Sequence, residues 1–202
     1  FRREVDVLAS YVYSENAVQH AASLSPKLLS RLNVTAQFWL IHDAACQTAA
    51  FMTLGRIFDA KSKHNVERLI DSFYESLAMF QKPALESRKM EGQTKRPDWI
   101  DDYLRDAHYP TKADVTRLRK LVRKYAALYQ STFDPARDKY FAHRAFLETH
   151  QNNALFSATT YRHLWRLTTF LVALHEVLRE QLLNGRKPVI RPMRYSIREL
   201  YK

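Results

Sequence analysis

Glycine is nearly absent from this chain, with three in 202 residues against a hydrophobic share of 46%. A sheet protein needs a turn signal about every 8 to 12 residues. Long stretches here contain neither Gly nor Pro to supply one. An all-α fold is therefore predicted. No internal repeat or compositional break divides the chain. One helical domain is expected over residues 1–184, with a basic C-terminal tail over 185–202.

Hydrophobic periodicity places the helices. Residues 4 to 22 read as an amphipathic helix with Val5, Leu8, Val12 and Val18 inward, and Ser25-Pro26 as an N-cap followed by Pro at the first helical position of a short helix through Leu32. Residues 34 to 58 are apolar over much of a helix circumference and rich in small residues, which predicts a central helix contacted on several sides. A third helix follows from Val66, carrying Leu69, Ile70, Phe73, Leu77 and Phe80 at spacings of three and four. Residues 81–97 hold Pro83, Gly92, Pro97 and many charges, and are expected to form a mobile loop with at most one helical turn. A short helix is expected before Pro110. Thr111 and Asp114 then form a capping box for a fourth long helix, and a last one runs from Thr159 to Leu183, closed by Asn184-Gly185.

Charge bounds the partners. The formal net charge is +11 and twenty arginines carry most of the excess. Their planar fork suits phosphate, so nucleic acid is the first expected partner, ahead of an acidic protein or a membrane surface. The face of Arg117, Arg119, Lys120, Arg123 and Lys124 is a candidate phosphate track, with a merely solvated face as the alternative. The single cysteine, Cys46, cannot form an internal disulfide, which suits a reducing cytoplasm. Polar interruptions at His42, Asp43, Gln47 and Arg56 argue against a membrane span over 38–58. Because the chain opens at Phe1 rather than Met, the native N-terminus is expected upstream.

The stretch RDKYFAHRAFLETH repeats one spacing, Arg137 to His143 and Arg144 to His150. In so arginine-rich a chain, Arg-His spacings of this kind arise by chance about twice, so context has to separate the copies. The first follows the helix-start signal Asp134-Pro135, has polar Asp138 behind its Arg, and has small Ala142 before its His. Six positions on a straight α-helix leave Arg137 and His143 roughly 120° apart. Convergence therefore needs a bend near the segment's start, or a second copy across a symmetric dimer. Lys139, four residues before His143, and Arg144 beside it favour a neutral imidazole, the form that serves as a general base.

RDKYFAH resembles the Arg, four to six residues, His motif of the HEPN superfamily, the higher eukaryotes and prokaryotes nucleotide-binding domains. The run FWLIHDAACQTAAFMTLGRIFDAKSKHNVERLI, including Ile57-Phe58-Asp59, is similar to the second and third helices of its abortive-infection AbiU-type branch. The resemblance spans residues 1 to 184. It implies a bundle of about five main helices plus short ones, often dimeric with two motifs lining one cleft. It also implies a metal-independent ribonuclease, a toxin or phage-defence effector needing no cofactor, with a cognate antitoxin as a further partner. Carried onto this chain, Arg137 stabilises the phosphorane and His143 acts as general base or acid in attack by the ribose 2′-hydroxyl. Asp138 orients one of them, and Lys139 and Arg144 hold substrate phosphate. One departure stands out: the Tyr often found two residues after the His is Ala145 here, so regulation by nucleotide addition is not expected.

Two other readings stand beside this one: a non-catalytic HEPN-like bundle that binds RNA or a protein, and a DNA-binding regulator, for which no helix-turn-helix spacing is evident. His42, Asp43 and Cys46 fall within one turn, yet lack further clustered ligands, so no metal site is expected. No glycine-rich phosphate loop is present, which removes P-loop NTP hydrolysis. The small residues Ala44, Ala45, Thr48 and Ala49 suit a close helix approach, inside the bundle or across a dimer.

Overall fold

A computed structural model describes residues 1–63, 65–142 and 157–191, with the backbone alone described at 140–142. Its regular elements are all helical: α1 (Arg2–Leu24), α2 (Pro26–Val34), α3 (Ala36–Phe58), α4 (Val66–Glu75), a 3₁₀ turn (Leu77–Phe80), α5 (Lys82–Met90), α6 (Ile100–Asp106), α7 (Lys112–Thr132), the single turn α8 (Asp134–Ala136), a π-turn (Arg137–Ala142) and α9 (Tyr161–Asn184). The all-α expectation holds.

Side-chain caps hold the helix ends, the predicted Ser25 and Thr111–Asp114 among them. Ser25 Oγ accepts from the Leu28 N–H at 3.2 Å, and Thr160 Oγ1 accepts from the His163 N–H at 3.2 Å. The Thr111–Asp114 capping box is complete, with the Thr111 N–H donating to Asp114 Oδ2 at 2.8 Å. Each cap satisfies helix-end donors that would otherwise be orphaned.

The core follows the apolar stripes. Val5, Leu8 and Val12 of α1 meet Ala50, Leu54 and Ile57 of α3 and Leu167, Leu171 and Leu174 of α9, while α4 packs on α7. Val18, predicted inward, is only half-buried, as is Leu178 of α9. A satellite core of Leu85, Ile100 and Leu104 joins α5 and α6 beside the end of α9. There Gly185 adopts φ +58°, and a Cβ on it would lie 2.8 Å from both Ala107 Cβ and Leu85 Cδ2, so the position needs glycine for its conformation and its closeness.

Three expectations change. Residues 82–90 form a full helix rather than a loop with one turn, because Pro83 sits in its first turn, where proline is tolerated, and Leu85 is buried. The helix over 34–58 is central only in its second half. From Ala50 onward it is mostly buried, whereas Phe38, Leu40, Ile41, Ala44, Ala45 and Thr48 are exposed. The small-residue stretch therefore does not serve packing inside the bundle. Helix α2 has no buried residue, and Leu24, Leu29 and Val34 extend the exposed apolar surface from the end of α1 to the start of α3. Finally, Ile190, in the stretch read as tail, packs against the core.

Candidate functional site

The site is built where the end of α3 meets the chain leaving α7. Helix α7 stops at Thr132, Asp134-Pro135 opens a single turn, and the Arg137 N–H donates to the Phe133 carbonyl at 2.8 Å. From Arg137 to Ala142 the backbone forms a π-turn. Its i→i+5 bonding takes more residues per turn than an α-helix, and such insertions often mark functional segments. The segment from Arg137 to Ala142 is therefore not the straight α-helix for which the 120° offset was derived, and His143, the other half of the predicted pair, lies outside the described residues.

Arg137 is the pivot. Its side chain is 17% exposed and lies across Gly55 of α3. A Cβ on Gly55 would fall 2.5 Å from Arg137 Cδ and 2.7 Å from Nη1, so the glycine is what lets the guanidinium lie against the helix. Three carboxylates surround it. Asp59 Oδ2 is 3.5 Å from Nη1, and Asp134 Oδ1 and Asp138 Oδ1 are 3.4 and 3.7 Å from Nη2. All are longer than the 2.7–2.9 Å or so of a tight charge-assisted bond, and Nε is buried with no hydrogen-bond partner among the described residues. Burial opposes the Arg137 charge, but Tyr129, Asp134 and Asp59 outweigh it, so the guanidinium is firmly charged.

These acids are themselves positioned. Asp59 caps α3 and its Oδ1 accepts from the Lys61 N–H at 2.9 Å. Tyr129 donates its hydroxyl to Asp134 Oδ1 at 3.1 Å, and its ring stacks on Phe58 at 5.2 Å between centroids. Burial pushes the Tyr129 phenol above its ordinary range, so it stays a donor. The two stretches that carried the family resemblance, Ile57-Phe58-Asp59 and Arg137-Asp138, thus meet in space through Phe58 on Tyr129 and Asp59 on Arg137.

Of the predicted site residues, Arg137 and Asp138 are brought together, and Lys139 follows on an exposed surface. His143 and Arg144 lie outside the described residues. Sequence reasoning missed Gly55, Tyr129 and Asp134, and did not give Asp59 a role. The available signal was Gly55 itself, a lone glycine in a helical pattern, which marks a close approach.

Around this center the basic face of α7 is partly neutralised. Arg117 pairs with Asp114, and Arg119 with Asp71 at 2.7 Å. Lys120, Arg123 and Lys124 point to solvent. Lys124 and Arg166 line a cleft of about 310 Å³ that reaches Ser131 in the last turn of α7. A larger cavity of about 550 Å³ between α4 and the end of α9 has walls such as Phe73, Phe80 and Leu178, and none of the predicted site residues lines it.

His42 lies 3.7 Å by Nε2 from Cys46 Sγ and 3.5 Å by Nδ1 from Asp43. Among the described residues no group of three His, Cys, Asp or Glu side chains is placed to hold a metal ion, and no helix is long and apolar enough to cross a membrane.

No curated protein and no solved structure matches the chain. The family model HEPN_AbiU2, described as AbiU2, matches residues 1–192. With nearly the whole chain covered, and with the end of α3 joined to Arg137 in one network, this protein belongs to the AbiU2 family of HEPN domains.

Proposed function

We propose that this protein is a metal-independent endoribonuclease of the HEPN type, a toxin or phage-defence effector that cleaves RNA through its own 2′-hydroxyl. The observation that carries the reading is Arg137, a charged guanidinium held loosely by three carboxylates over a glycine, with Nε lacking a partner among the described residues. Family membership adds to it. In the proposed reaction His143 takes the proton of the 2′-hydroxyl, whose oxygen attacks the adjacent phosphorus. Negative charge gathers on the non-bridging oxygens of the phosphorane, where Arg137 stabilises it. The P–O5′ bond breaks as the departing oxygen takes a proton from the imidazolium formed on His143, and a 2′,3′-cyclic phosphate and a 5′-hydroxyl remain, with His143 returned to its neutral form. Asp138 orients Arg137, while Lys139 and Arg144 bind flanking phosphates.

A homodimer completes the cleft in this reading. The exposed apolar side chains Leu29, Val34, Phe38, Leu40 and Ile41 offer a surface for a second copy. A cognate antitoxin is a further proposed partner. The competing reading is a non-catalytic bundle that binds RNA or a protein, and it is favoured by the three acids around Arg137, which leave the immediate site negative and oppose an incoming phosphate.

The test is cleavage of end-labelled RNA in EDTA by wild type, Arg137→Ala and His143→Ala, with product ends identified. Cleavage leaving cyclic phosphate, lost in both folded variants, is the expected result. RNA bound but left intact equally by all three would favour the binding module.

A further inference from the structure

A second polar center lies about two helical turns before Gly55 along α3, where Gln47 meets Glu15 of α1, and the reaction just proposed does not use it. Glu15 of α1 is 4% exposed. Burying a carboxylate is unfavourable unless its oxygens are partnered. The two hydrogen bonds described for it both fall on Oε1 and both are long, from Gln19 Nε2 at 3.3 Å and Gln47 Nε2 at 3.4 Å. The carboxyl lines a cleft of about 170 Å³, with Phe51, Phe133 and Leu164 as apolar walls and Gln47 and Tyr161 at its more exposed side. That is below the roughly 300–1,000 Å³ of drug-sized pockets, and it suits one planar ring system.

Position gives the cleft its meaning. Phe51 is one turn before Gly55 on α3, and Phe133 is joined to Arg137 by a backbone hydrogen bond. The aromatic walls therefore stand about one helical pitch, ~5.4 Å, from the Arg137–Gly55 contact, the scale that separates a phosphate from the base of its own nucleotide.

Resting on the ribonuclease reading, we propose that this cleft takes the guanine base of a nucleotide adjoining the scissile phosphate, with Glu15 accepting from its Watson–Crick edge. Among the four bases only guanine presents two adjacent N–H donors, N1–H and N2–H, on that edge. An ionised carboxylate accepts such a fork in bidentate fashion. Adenine and cytosine each offer one donor beside a ring acceptor, and uracil one donor between two carbonyls. Phe51 and Phe133, in edge contact at 5.1 Å, supply the apolar surface on which unstacked RNA bases pack.

The test has two arms on the full chain. In the first, 5′-GMP and 5′-AMP are titrated against wild type, Glu15→Gln and Gln47→Trp, the last chosen because Gln47 is exposed and the bulkier ring closes the mouth without disturbing the core. Wild type is expected to prefer GMP by roughly tenfold or more, the usual discrimination of a bidentate contact. Glu15→Gln is expected to erase that preference and Gln47→Trp to abolish binding. In the second arm, oligonucleotides differing at one base beside the cleavage point are cut by wild type, Glu15→Gln and Arg137→Ala. Preference for G that disappears in Glu15→Gln supports the proposal. Equal binding of both nucleotides, or a G preference unchanged in Glu15→Gln, overturns it and leaves the ribonuclease reading standing. GMP preference without cleavage by any protein supports the pocket and overturns the ribonuclease reading instead.

Discussion

Gly55→Ala separates the position of Arg137 from the stability of the fold. The new Cβ would sit 2.5 Å from Arg137 Cδ, whereas carbon atoms in good contact stand about 3.5–4.0 Å apart. The side chain must therefore retreat by roughly 1 Å, and a long flexible arginine can do so. Stability should change little: alanine in a helix interior gains up to about 1 kcal/mol over glycine, and against this stand ion pairs that are already long. On the ribonuclease reading activity should not be spared, because a misplacement of about 1 Å at a reacting center can reduce rate some 100-fold. Urea unfolding and the rate of RNA cleavage are to be measured on the same preparations, with Arg137→Ala as reference. If Arg137→Ala abolishes cleavage while Gly55→Ala stays within twofold of wild type, the contact with Gly55 does not set the reactive position of Arg137 and the reasoning fails.

Three further outcomes are expected. Burial pushes the Asp114 carboxyl up, but the Thr111 N–H and hydroxyl, Arg117 and His108 together hold it down to about 2. A depressed folded-state pKa stabilises above the ordinary value near 3.9 and is lost as pH falls toward 2. With the side chain 3% exposed, wild type should exceed Asp114→Asn by about 2 kcal/mol at pH 7 in urea unfolding, the gap narrowing below pH 4; a gap independent of pH would contradict this. On the proposed homodimer, Phe38→Glu with Ile41→Glu should leave a monomer in sedimentation without lowering the melting temperature of the single chain, in which both side chains are exposed. Replacing Lys120, Arg123 and Lys124 together by Gln should weaken RNA binding across sequences and make its salt dependence shallower by about 2 in the log–log slope, given about 0.7 per phosphate contact on single strands.

The sequence made the bundle legible because its signals were local. Apolar spacing gave α1, α7 and α9, and Ser25, Thr111, Asn184 and Gly185 marked ends that the backbone honours. Arg137 and Asp138 were legible as a candidate pair through their context after Asp134-Pro135. What escaped was tertiary. An all-round apolar helix reads as central whether its partner is the same bundle or another surface, so nothing local distinguished Phe38 and Ile41, which are exposed, from Leu54 and Ile57, which are buried. Asp59 and Tyr129 became site residues only through a crossing of α3 with the end of α7, and Glu15 on α1 looked like an ordinary polar position until the fold buried it. Within 81–97 the stretch 82–90 is helical because Pro83, a breaker inside an element, falls where a helix begins, while 91–97 stay outside any helix.

The loose geometry around Arg137 bears on how a phosphate would enter. A purely architectural arginine gains most from short, bidentate bonds that satisfy its whole fork. Here the carboxylates stand 3.4 to 3.7 Å away and Nε has no described partner. Such a network fixes the plane of the guanidinium without saturating it. An incoming phosphate that offers two oxygens at shorter range replaces weak contacts with strong ones, so binding at this site is an exchange of anions rather than the filling of a vacant cation. The acids also impose selectivity. Their repulsion must be outweighed by additional positive charge, which Lys139 and the solvent-facing residues of α7 can bring to a polymer that spans both but not to a single phosphate. On the ribonuclease reading, free inorganic phosphate should therefore compete poorly with RNA, and a strong competitor would show that Arg137 alone dominates substrate capture.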